Sequence, residues 1–169
     1  EGGYDVTARF FVPEEGVAQR SRSGGVPYSQ WVSQGWIEAT PGNVTDYDII
    51  RERIREDAAV YDVREIGFDR WGATQLVTQL QGDGATMVPI GQGFASLSAP
   101  TKEMEKFILG CKIRFGKNPV LRWMFSNVAV EMDPAGNVKP SKRKSTEKID
   151  GVVAAVMALD RAMRNTGPS

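Results

Sequence analysis

Apolar and polar positions along the chain regroup into short strands separated by helices. Tyr4, Val6, Ala8 and Phe10 alternate with Asp5, Thr7 and Arg9, which predicts a strand over residues 4–13. Residues 14–26 are polar, carry two adjacent glycines and read as a loop. Pro27 opens a short helix through Trp31 to Gly35, and residues 36–40 read as extended. After a turn at Pro41-Gly42-Asn43, Thr45 or Asp46 caps a helix that Asp62 closes, with Tyr47, Ile50, Ile54 and Ala58 as its buried stripe. Its other face (Arg51, Glu52, Arg55 and Glu56) reads as solvated mixed charge without a function.

Residues 63–68 form the next predicted strand, with Ile66 and Phe68 on one face, and Asp69 falls at its carboxyl end. Residues 74–80 continue as a helix with Leu76, Val77 and Leu80 inward, stopped by Gly82-Asp83-Gly84. Residues 86–90 make a second, interior strand. Gly91 to Ser96 resembles a phosphate-cradling loop but has neither the Rossmann nor the P-loop spacing, so a connector is the better reading. Ser98 is expected to cap a helix to about Leu109, with Met104, Phe107 and Ile108 inward. A basic turn over 112–119 leads to a core helix over 120–130. Residues 131–139 look like a hairpin turned at Asp133-Pro134-Ala135-Gly136-Asn137. Ser145 or Thr146 then caps a last helix to about Arg164, apolar almost all round and therefore buried. Strands alternating with helices predict one α/β domain spanning residues 1–169.

Composition narrows the chemistry. Lys plus Arg and Asp plus Glu each number 21, so only local clusters can speak about partners. The absence of histidine removes Ser-His-Asp and Cys-His nucleophile activation and histidine-dependent zinc sites. An enzyme with this inventory would rely on carboxylates, lysines and a hard ion such as Mg²⁺ or Mn²⁺. The lone Cys111 is expected to be a small buried hydrophobe. With neither an apolar run of membrane-spanning length nor a signal-peptide pattern, a cytoplasmic, non-membrane protein is expected.

Two aspartates stand out. In open α/β sheets ligands bind outside the carboxyl ends of strands, where Asp69 is placed. On its own stretch, a turn or helix-capping role for Asp69 competes with a functional one. Asp150 lies in the first turn of the last helix, where the helix dipole favours a carboxylate in any case. A fold could bring the two to one sheet edge, where a pair of ions about 4 Å apart would serve phosphodiester hydrolysis. Lys139, Lys142, Arg143, Lys144 and Lys148 precede Asp150 closely, either as a solvated loop or as a phosphate-contacting strip.

Several segments carry a more specific likeness. They are Val12-Pro13-Glu14-Glu15-Gly16, Thr40-Pro41-Gly42-Asn43-Val44 with Asp46-Tyr47-Asp48, Phe68-Asp69-Arg70-Trp71 and Gly91-Gln92-Gly93-Phe94. Further along come residues 118–124 (NPVLRWM), Ser126-Asn127-Val128 and residues 144–151 (KSTEKIDG). In order and spacing, from about residue 4 to 162, these resemble the C-terminal nuclease domain of tailed-phage terminase large subunits. The resemblance implies an RNase H-like fold, a central mixed sheet flanked by helices, that cuts concatemeric DNA with two divalent metals during genome packaging. It implies that Asp69 and Asp150 are catalytic metal ligands for Mg²⁺ or Mn²⁺, and Lys142, Arg143 and Lys144 are the candidate phosphate contacts. It also implies double-stranded DNA as substrate, with the terminase small subunit and portal protein as partners of full-length members.

One departure shapes the expectation. The family's first acidic residue lies on a strand upstream of Tyr4, and neither that strand, the next one nor an ATPase domain is found here. A fragment with an incomplete metal site and weak or absent cleavage is therefore expected. Its exposed sheet edge invites self-association. Competing readings are another RNase H-like nuclease of the resolvase or integrase type, or a non-catalytic docking module.

Overall fold

The computed structural model describes residues 2–165. The first predicted strand is divided. β1 (Tyr4–Asp5) pairs in parallel with β6 (Ile113–Arg114), whereas β2 (Phe11–Pro13) pairs in parallel with β3 (Glu38–Thr40). The chain changes partner between them, so alternation alone could not reveal the break. β4 (Ile66–Asp69) and β5 (Met87–Ile90) form a third parallel pair, and β7 (Val130–Met132) and β8 (Val138–Pro140) an antiparallel hairpin. The strands are thus parallel and antiparallel, as a mixed sheet requires. Among the described residues, however, their hydrogen bonding is divided into four two-stranded pieces.

Helices surround these pairs. Residues 14–26, expected as a loop, contain α1 (Val17–Gly24), which is capped at both ends by left-handed glycines, Gly16 (φ 89°) and Gly25 (φ 66°). It buries no residue, so it leaves no apolar period to read. α2 (Tyr28–Ser33) follows, inserting Trp31 into the core.

α3 (Tyr47–Val60) starts as expected, with the Asp46 carboxylate accepting from the Asp48 N–H. Its predicted stripe is not a buried one: Tyr47 and Ala58 are exposed, and Ile50 and Ile54 are half-buried. Ion pairs attach this helix instead. Arg53 reaches Glu38 and Arg9 reaches Asp57, while Arg51 grips Asp83, the C-cap residue of α4 (Thr74–Gly82), in a two-pronged contact. The supposedly idle charged face is therefore a docking face. The helix ends at Val60, before Asp62, which pairs with Arg64.

α5 (Phe94–Leu109) begins at the end of the glycine-rich segment, earlier than expected. Ser98 lies inside it, and its Oγ accepts from the Val138 N–H, tying β8 to this helix. Met104 is buried there, while Ile108 is exposed. Cys111 is exposed in a left-handed conformation (φ 52°), contrary to the buried role expected of it. The basic turn that follows contains β6, because its backbone pairs with β1.

α6 (Pro119–Asn127) buries Val120, Leu121 and Met124. α7 (Asp150–Arg164) runs through the core and packs on α5, α6 and β4. Val152, Val153, Val156, Met157 and Leu159 are buried as expected, although Ala154 and Ala158 are exposed. Neither Ser145 nor Thr146 caps it. Ser145 instead donates to the Ser141 carbonyl and accepts from the Ala129 N–H, knotting the loop before the helix. Among the described residues no helix is long and apolar enough to cross a membrane.

Candidate active site

Asp69 is the last residue of β4, opposite Ile90 of β5. Its Oδ1 accepts from the Trp71 N–H at 3.2 Å, which closes the turn leaving the strand. The carboxylate borders a cleft of about 520 Å³. Gln92, Glu131, Lys139, Lys142 and Arg143 line the same cleft, over a floor that includes the buried Leu97 and Val153.

Asp150 opens α7 and borders a second cleft of about 280 Å³, with Glu147 and Lys148. Lys142 lines both spaces, and its Nζ stands 3.0 Å from Asp150 Oδ1. The two aspartates, 81 residues apart by numbering (150 less 69), therefore border clefts that have Lys142 as a common lining residue.

The intervening loop is held firmly at its base. Asn127, buried at the end of α6, donates from Nδ2 to the Lys148 carbonyl, and its own carbonyl accepts from Thr146 N–H. The Ser141 N–H donates to the Ala129 carbonyl. These anchors fix the loop ends and leave Lys142, Arg143 and Lys144 exposed between them. Among the described residues Arg143 and Lys144 make no ion pair, so both charges are available to an external anion.

Sequence reasoning missed Glu131. It lies on β7 directly across from Lys139 on β8, and Lys139 Nζ comes within 3.6 Å of it. A hydrogen bond from Ser141 holds its carboxyl below the usual range, with the Lys139 charge adding to the effect. The available signal was the hairpin register, which sets these opposite charges side by side. Lys139 is occupied as well, donating to the Gln92 carbonyl and lying 5.1 Å from the Phe94 ring centre. It is a strut of this site more than a free cation.

The donors suit a hard cation. Asp69 keeps one carboxylate oxygen without a hydrogen bond among the described residues, and Asp150 already accepts a cationic group, the Lys142 ammonium. Among the described residues no three Asp, Glu, His or Cys side chains gather as a metal cage. Mg²⁺ commonly takes one or two carboxylates and keeps water and substrate phosphate for its other positions. The residues fit that open kind of site, not a closed one.

Residues 1–166 match the family described as "Terminase large subunit, endonuclease domain". The chain belongs to this family. It is 33% identical over 164 residues to the large terminase subunit of Enterobacteria phage HK97, covering 96% of this chain and 32% of that protein. It is 33% identical over 166 residues to protein YmfN of Escherichia coli strain K12, covering 95% of this chain and 36% of that one. This terminase nuclease domain thus spans about a third of the length of these relatives. Its fold superposes on the HK97 large terminase crystal structure with a TM-score of 0.86, at 33% identity over 93% of this chain and 33% of that one. The large terminase nuclease of thermophilic phage G20c gives a TM-score of 0.54 at 13% identity, over 75% of this chain and 66% of that chain, and supports the fold alone. The α/β fold is the RNase H-like fold of terminase nucleases.

Proposed function

We propose that this terminase domain is a divalent-metal-dependent DNA endonuclease, cutting concatemeric double-stranded DNA during packaging with Asp69 and Asp150 as its metal ligands. The observation that carries the reading is the meeting of the two aspartate clefts at Lys142. Mg²⁺ or Mn²⁺ bound there would supply activation of water and stabilisation of the leaving oxygen. The protein's own part is placement. The Trp71 N–H orients the Asp69 carboxylate, and the start of α7, set against the core by Gly151, fixes Asp150. Arg143, on the Asp69 cleft, and Lys144 next to it in the loop give the backbone phosphates a positive rail. In the full-length context, the terminase small subunit and portal protein are proposed partners and the host cytoplasm the site of action.

The proposal extends to a second copy of this chain. Among the described residues β4 pairs with β5 alone. A cleft of about 520 Å³ is lined by residues 63–67 and by Ala154 and Ala158 of α7, whose Arg161 pairs with Glu65. Sedimentation velocity tests self-association at this edge: a concentration-dependent dimer supports it, and a monomer throughout removes it.

Plasmid nicking tests the enzymatic reading. Supercoiled plasmid is incubated with the protein at high concentration in Mn²⁺. Any nicking, slow at best for this domain, is expected to be abolished by EDTA and by either Asp69→Asn or Asp150→Asn with folding intact. Nicking retained by both variants would overturn the site.

A further inference from the structure

The indole of Trp71, unlike its backbone N–H, has no place in the chemistry above, yet the residue is 80% exposed beside Asp69. Of the other three indoles, Trp36 is exposed only at 37%, and the remaining two are packed. Trp31 is in the core, and Trp31 and Trp123 pack together with Tyr28 in an aromatic cluster. Trp71 is instead held at the mouth of the Asp69 cleft by its own N–H on the Asp69 carboxylate, and Gly72 (φ 93°) turns the chain away behind it.

The surroundings decide what the indole faces. A protein partner's hot spot would need contiguous apolar surface. The other apolar residues lining this cleft, Leu97, Pro140 and Val153, are buried; its other exposed lining residues are Lys142 and Arg143, and Arg70, next to Trp71 in sequence, is exposed as well. An exposed ring and exposed cations around one cleft, of which Arg143 makes no ion pair among the described residues, match the way proteins hold unstacked nucleic acid: bases on aromatic faces, phosphates on a basic track.

We propose that Trp71 stacks on a base of the DNA whose phosphate is presented to Asp69, so that this site favours DNA in which a base is unstacked. The proposal rests on the nuclease reading and adds a substrate preference to it. Trp71 is then a substrate-contacting residue that selects distorted or single-stranded DNA over regular duplex.

The test is metal-free binding in EDTA, by fluorescence anisotropy, of a labelled oligothymidylate, a perfect duplex and a duplex with one bulged base. The parent protein, Trp71→Phe, Trp71→Ala and Arg143→Ala/Lys144→Ala are compared, with thermal melts as the folding control. Trp71→Ala is expected to weaken oligothymidylate and bulged-duplex binding by on the order of tenfold, as removal of one stacking platform would. Perfect duplex should be affected much less, and the slope of log affinity against log salt should not change. Trp71→Phe should retain most of the binding. Quenching of tryptophan fluorescence by oligothymidylate should disappear in Trp71→Ala.

If Trp71→Ala binds all three DNAs like the parent while Arg143→Ala/Lys144→Ala binds them weakly, the stacking proposal fails and the nuclease reading stands. Equal weakening on all three DNAs also overturns it. If the parent protein binds none of them, the nuclease reading fails and stacking fails with it.

Discussion

Lys142 Nζ lies 3.0 Å from Asp150 Oδ1, and the same lysine borders the cleft that holds Asp69. A cation that takes Asp150 Oδ1 competes with this ammonium. Both side chains are well exposed (66% and 60%), so the pair contributes at most about 1 kcal/mol. Lys142→Met is therefore expected to tighten Mn²⁺ binding by less than about fivefold, measured by isothermal titration, while weakening DNA binding. Weaker Mn²⁺ binding in the variant would show that Lys142 is a support and not a competitor.

Gly151 follows Asp150 at a point where no side chain fits. A Cβ there would stand 2.8 Å from Phe10 Cε1 and 2.9 Å from Met124 Sδ. Overpacking of this kind costs about 1–3 kcal/mol. For a domain of this size Gly151→Ala should lower the Tm by about 2–12 °C. Mn²⁺ affinity should fall with it, because the start of α7 must shift. Calorimetry showing an unchanged Tm would contradict this packing.

Removing the positive charges of Lys142, Arg143 and Lys144 together should weaken duplex binding at low salt. For every DNA phosphate that is no longer neutralised by a side chain, the slope of log affinity against log salt becomes shallower by about 0.9. A change of up to about 3 is expected for all three cations. An unchanged slope would reduce the strip to a solvated loop.

Acid should destabilise the protein. Hydrogen bonds from Arg53, Arg9, Arg161 and Arg51 hold the carboxyls of Glu38, Asp57, Glu65 and Asp83 below their usual values. Such groups bind fewer protons folded than unfolded. Their contribution is complete above the unfolded carboxylate range, about pH 4–5, and is lost as pH falls through the lower folded values. Melting curves should be flat from neutrality to about pH 5 and fall steeply below about pH 4. A Tm that rises on acidification would contradict these pairings.

The features legible in the sequence were those written in short-range apolar pattern. A short apolar run ending in a turn put Asp69 at the tip of β4, and the Asp133–Asn137 turn announced the β7–β8 hairpin. α7 was visible because its apolar positions are so dense. Its start was not: Ser145 has the chemistry of a cap, but its hydroxyl is engaged by Ser141 and Ala129. α1 was hidden because it buries nothing, and α3 was misjudged because ion pairs, not an apolar stripe, attach it. At the site, the positions of Asp69 and Asp150 in their elements could be read. The pairing of Asp150 with Lys142 depends on how the loop between them folds, and the place of Glu131 in the Asp69 cleft on bringing the β7–β8 hairpin up to β4, neither of which an apolar pattern encodes.

The proposal that Asp69 and Asp150 share a divalent cation is tested most directly by Mn²⁺ binding, followed through the loss of the free-ion signal in electron paramagnetic resonance. Bound Mn²⁺ is expected in the parent protein and sharply weaker binding in both Asp69→Asn and Asp150→Asn, each with an unchanged melt. Full Mn²⁺ binding in either variant would contradict the shared site.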